Sequence, residues 1–102
     1  AEGQGVAKDE AKAIQLYRQA MDKGSLEAVI KLALCYEHGQ GVAKDAPQAF
    51  KLYKLAMDKG NVEAITSIAR FYANGQGVPK DVERAVQLYK QAINKGNIDA
   101  IV

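Results

Sequence analysis

A chain of 102 residues, 48% hydrophobic and 25% charged, can form one domain with a modest core. A formal charge of +2, with lysines spread evenly, argues against nucleic acid or an anionic membrane as the main partner. No stretch approaches the roughly 20 apolar residues of a membrane span, so no direct membrane insertion is expected, and the single cysteine, Cys35, can form no internal disulfide.

The seven residues from Gly3 to Asp9 return at Gly39 to Asp45 and, with Pro79 in place of alanine, at Gly75 to Asp81, a period of 36. A fixed period of this size announces stacked supersecondary units. After each turn, Ala13, Leu16, Tyr17 and Ala20 recur as Ala49, Leu52, Tyr53 and Ala56 and as Ala85, Leu88, Tyr89 and Ala92. That spacing is the apolar stripe of an amphipathic helix, and helices are expected over residues 9–23, 45–59 and 81–95. Asp9, Asp45 and Asp81 are the expected N-caps, and Pro47 falls in a first turn, where no intrahelical donor is lost. Lys23, Lys59 and Lys95 suit the negative helix end, and Gly24, Gly60 and Gly96 supply a left-handed stop.

Ser25, Asn61 and Asn97 follow at once as N-caps, so each helix leads into a second, over residues 26–37, 62–73 and a stub at 98–102. Ala28, Val29, Leu32, Ala33 and Tyr36 share one side of this second helix, matched by Ala64, Ile65, Ile68, Ala69 and Tyr72. The repeated alanines let helix backbones approach closely, while leucine and tyrosine fill the space between neighbouring hairpins. Ala1 aligns with Ala73 and Val102 with Thr66, so the chain is expected to be a window cut from a longer array. Ile98, Ile101 and Val102 leave an apolar stub without a polar capping unit, hence possible end-to-end self-association through uncapped ends.

Tyr36 to Val42, Lys44-Asp45, Ala49 to Ala56 and Lys59-Gly60-Asn61 together resemble the Sel-one-like repeat family, a branch of the tetratricopeptide superfamily. The resemblance covers the whole chain. It implies an all-α fold, a right-handed α-solenoid of antiparallel helix pairs, and use as a scaffold or adaptor for protein complexes, often in bacteria. Some cysteine-rich relatives carry disulfide-linked repeats and are discussed as penicillin-binding proteins. Here Cys35 aligns with Phe71, so the paired cysteines are absent and that enzymatic association does not carry over.

The remaining polar signals have structural readings. The Gly-x-Gly turns lack the third glycine and the preceding strand of a dinucleotide site, so no cofactor is expected and the glycines serve the turns. His38, the lone histidine, lacks the partners of a metal or catalytic site, and Cys35 reads as semi-buried and apolar at the edge of the packed face. A penicillin-binding or peptidoglycan-modifying enzyme would need a nucleophile beside a base, which scattered serines, one histidine and one cysteine do not supply. A passive spacer is the other alternative.

Features present in every copy suit structure, whereas a binding surface should differ between copies. On the second helices the differing positions are Ile30 against Thr66, Lys31 against Ser67, Leu34 against Arg70 and His38 against Asn74, with Glu27 and Glu63 on the same side. By the resemblance, this side lines the concave surface of the array. The expected function is therefore to hold a protein or peptide segment there, Ile30 and Leu34 making apolar contacts and Lys31 and Arg70 meeting carboxylates or carbonyls.

Overall fold

The computed structural model describes the backbone of residues 2–96 and the side chains of residues 9–96. The described residues form helices α1 (Glu2–Asp22), α2 (Leu26–His38), α3 (Ala46–Asp58), α4 (Val62–Asn74) and α5 (Val82–Asn94), with no strand among them. The stub expected at residues 98–102 lies outside the described residues, as does the cap expected at Asn97.

The interior helix ends are set locally. The side chains of Ser25, Asp45, Asn61 and Asp81 accept hydrogen bonds from the backbone N–H groups of Ala28, Gln48, Ala64 and Arg84, at 2.9 to 3.1 Å. Each of these bonds satisfies a donor that the first helical turn leaves without a partner. Lys59 caps α3 and Gly60 follows with positive φ, which lets the chain reverse directly into α4.

One expectation fails at the start of the chain. Gly3 to Asp9 is not a turn, and Asp9 is not a cap, because α1 runs unbroken from Glu2. The reason lies in what holds the two later turns. The N–H of Gln40 donates to the Cys35 carbonyl, and the N–H groups of Asp45 and Asp81 donate to the carbonyls of Tyr36 and Tyr72 at 2.8 and 2.9 Å. The second glycine of each turn also leans on the previous helix pair. A Cβ on Gly77 would stand 2.7 Å from the backbone of Ala46, and one on Gly41 would stand 2.8 Å from the Glu10 carbonyl oxygen. At Gly3 to Asp9 the described residues make no such contacts, and the segment is helical.

Each helix packs chiefly against its neighbours in sequence, giving a body of 46 × 27 × 20 Å. Its radius of gyration, 14.5 Å, exceeds the roughly 13 Å of a compact domain of this length. This is an α-solenoid of helix pairs, in which every unit buries its apolar face on the next. Ala33, Ala49, Ala56, Ala64 and Ala69 are fully buried where backbones come close, and Tyr53, Phe71, Leu32 and Ile68 fill the spaces between. Phe71 sits inside the core rather than at its edge, with edge-on contacts to Tyr53 at 5.5 Å and a tilted contact to Phe50 at 6.2 Å.

The stripe that repeats in sequence is buried throughout only in α3, where Ala49, Leu52, Tyr53 and Ala56 all join the core. In α1 it is turned. Ile14 is the buried residue there, while Leu16 is 54% exposed against 7% for Leu52. In α5, Ala85 and Ala92 are buried but Leu88 and Tyr89 only partly so.

Candidate partner-binding groove

The capped starts of α2 and α4 each place a glutamate, Glu27 or Glu63, in a first turn, where its negative charge suits the helix dipole. Glu27, Ile30, Lys31 and Leu34 then follow one another along one side of α2 at helical spacing. Together with Asn61, Val62 and Glu63 they line a groove of about 490 Å³ between α2 and the start of α4. Ile30 is half-buried and rests on the core, while Leu34 is 37% exposed and faces outward. A smaller hollow of about 190 Å³ lies on the far side of α2, lined by Tyr17, Ala20, Ser25, Glu27, Ala28 and Lys31. Glu27 and Lys31 belong to both and form the ridge between them.

Of the residues singled out in the sequence, Glu27, Ile30, Lys31, Leu34 and Glu63 meet at the groove. Thr66, Arg70, His38 and Asn74 do not line it. His38 and Asn74 are exposed at the last residues of α2 and α4, each followed by a glycine cap. Asn61 and Val62 join the lining without having been anticipated; their position one and two residues before Glu63 was the available signal.

Arg70 needs a different role from the one its sequence position suggested. Its guanidinium makes an ion pair with Glu37, a carboxylate only 3% exposed, and its Nη2 donates to Glu37 Oε1 at 3.3 Å. The Tyr53 hydroxyl donates to the same oxygen at 2.9 Å, so side chains of α3 and α4 converge on one acceptor of α2. Burial alone would raise the Glu37 carboxyl, but the hydrogen bonds from Arg70 and Tyr53 and the charge of Arg70 hold it below its ordinary value. Burial, then the neighbouring Glu37 charge, pushes the Tyr53 phenol far up, so it stays a donor. Arg70 is thereby tied down as a brace between units. Its role as a free cation reading a ligand carboxylate is withdrawn.

Sequence reading passed over Glu37, although it stands four residues after Ala33 and eight after Val29 and so continues a buried stripe. Its counterpart in the next unit is Ala73, so this brace marks one junction only. The neighbouring junctions use other pairings. Arg18 donates to the Tyr36 hydroxyl at 2.6 Å, and the Arg84 guanidinium lies 5.2 Å from the Tyr72 ring centre.

Among the described residues no group of three or more histidines, cysteines or acidic residues is placed to hold a metal ion. Cys35 is half-buried, and burial followed by the nearby Glu10 charge raises its thiol above the ordinary value, away from the reactive thiolate. No described helix is long and apolar enough to cross a membrane.

The Sel1 repeat model matches residues 1–25, 26–61 and 62–97. No curated protein matches the chain. Among solved structures, a Sel1 repeat protein from Oxalobacter formigenes is 37% identical over 89% of this chain and 36% of its own, with a TM-score of 0.81. The protective antigen c5321 of uropathogenic Escherichia coli strains, which displays an SLR fold, is 31% identical over 88% of this chain and 19% of its own, with a TM-score of 0.83. Helicobacter pylori cysteine rich protein B is 26% identical over 86% of this chain and 66% of its own, with a TM-score of 0.77. This chain thus spans about a third and about a fifth of the first two. Three consecutive repeat matches on a stack of capped helix pairs place the chain in the Sel1 repeat family.

Proposed function

We propose that the groove between α2 and α4 holds a peptide or protein segment, so that the chain serves as a protein-interaction scaffold. Sel1 repeats in general are scaffolds for protein contacts. The observation that carries the reading is the contrast between faces. The packed apolar positions Ala28, Val29, Leu32 and Ala33 keep their class as Ala64, Ile65, Ile68 and Ala69, whereas Ile30, Lys31 and Leu34, which line the groove, become Thr66, Ser67 and Arg70 one unit later. Leu34 is the exposed apolar contact, Ile30 the floor, and Lys31 a donor to backbone carbonyls; Arg70 is left out because Glu37 holds it.

Peptides selected against the protein from a display library provide the test. Leu34→Asp is expected to weaken them at least about tenfold, since an aspartate there desolvates against aliphatic groups, while the thermal melt stays in place. Selected peptides that bind the variant equally well, or a failure to select any, would favour a passive spacer.

A second reading concerns self-association. Val82, Val86 and Ile93 are exposed along α5, in the register of Ala46, Phe50 and Met57 of α3. On α3 that register is covered, because Phe50 meets the rings of Phe71 and Tyr72 and Gly77 lies on Ala46. The open stripe on α5 suits the end of a second copy, stacked as the units within one chain are stacked.

A further inference from the structure

Among the described residues Glu37 is the one buried charged side chain, and it stands three residues beyond Leu34 on α2. Arg70 stands seven residues beyond Glu63, on the same side of α4. We infer that the Glu37–Arg70 pair holds α2 and α4 at the spacing their groove needs to receive a segment, an inference that rests on the groove being a docking site. The two act by position, since neither lines the groove.

The walls of the groove, α2 and the start of α4, each pack on α3 and not along one another. Contact with α3 alone would leave their separation to two independent helix contacts. The pair joins the walls directly. Arg70 donates to both oxygens of the Glu37 carboxylate, and Tyr53 of α3 donates to one of them. A guanidinium fork on a carboxylate fixes direction as well as distance, and the burial of Glu37 makes that geometry costly to leave. The pair also stands outside the repeat. Ala1 and Ala73 take the place of Glu37 one unit away, and Leu34 takes that of Arg70. Because α4 and α5 pack together with Ala73 in that place, helix pairs do not need the ion pair in order to stack. Among the described residues it occurs only at the junction that carries the groove. Walls already held apart need not be ordered by an incoming segment, and the ordering cost saved appears as affinity.

Spin labels on the exposed ends of α2 and α4 test this, attached through His38→Cys and Asn74→Cys in a Cys35→Ala background. Double electron–electron resonance should give one narrow distance when Arg70 is kept. The distance should broaden or lengthen in Arg70→Leu, which carries the residue that α2 has at that place. Arg70→Lys keeps the charge without the fork and should fall between, and it decides alone should Arg70→Leu fail to fold. Peptides selected by display for Leu34-dependent binding should bind Arg70→Leu about tenfold more weakly and Arg70→Lys about threefold more weakly, each measured well below its melt. An unchanged distance distribution overturns the inference, as does unchanged peptide affinity in a variant that only melts earlier; the pair would then serve stability alone. In both cases sensitivity of the peptides to Leu34→Asp leaves the groove standing as a site. If display yields no peptide, the groove reading falls and takes the inference with it, whatever the distances show.

Discussion

α3 and α1 carry the same words in the same register, and the tertiary structure treats them differently. Leu52 and Leu16 are one residue type at one repeat position, yet Leu52 lies in the core with residues of α2 and α4, whereas Leu16 is exposed and not covered by any described helix. Identical local sequence is therefore worth different amounts of stability. In a solenoid the apolar stripe of a unit stabilises only as far as its neighbour covers it, and at about 25 cal/mol per Å² the covered area decides the contribution. The turns show the same dependence. Gly39 to Asp45 holds its shape on α1 and α2, while the equivalent residues at the start of the chain continue a helix.

The comparison can be broken by substitution. Leu52→Ala should cost about 3 kcal/mol in urea unfolding, and Leu16→Ala less than about 0.5 kcal/mol, because only the first leaves a cavity. Equal costs would show that α1 is covered to the same degree as α3. Next in size is the brace at the middle junction. Glu37→Ala should cost about 2 kcal/mol, since it strands the buried Tyr53 hydroxyl and frees Arg70. Its pH dependence carries a definite sign. A carboxyl whose folded pKa lies below the unfolded one stabilises fully above the ordinary glutamate value of about 4.3, and that stability is lost as pH falls through the lower folded value. The gap between wild type and Glu37→Ala is thus expected to be constant near neutrality and to close in acid; a gap that widens in acid would refute the brace. Smallest in stability is Val86→Glu on the open stripe of α5, within about 0.5 kcal/mol of wild type. It should nonetheless abolish any concentration-dependent rise in mass seen by light scattering, and a strict monomer at high concentration would remove the self-association reading outright.

Much of the fold was legible because its signals are local. Asp45, Ser25 and Asn61 announce helix starts by being acceptors three residues before a free N–H, and Gly60 announces a reversal by tolerating positive φ. The groove was legible in part. Glu27, Ile30, Lys31 and Leu34 are brought together by helical periodicity alone, but their meeting with Asn61 and Val62 depends on how two helices lie together. Arg70 was misread because its partner stands 33 residues away. Nothing in the local pattern of α4 distinguishes an arginine facing a ligand from one facing a buried glutamate.

By itself the sequence determined the period, the interior caps, the helix pairs and the stripe of small residues on which they stack, because each follows from bonds and contacts made within a few residues. Only the tertiary structure decided which copies of that stripe are covered, which turn keeps its shape, and that Arg70 is bound to Glu37 while, among the described residues, Glu27 and Glu63 have no ion-pair partner. Those outcomes depend on desolvation and on partners far away along the chain, and both are properties of neighbouring units rather than of any one repeat.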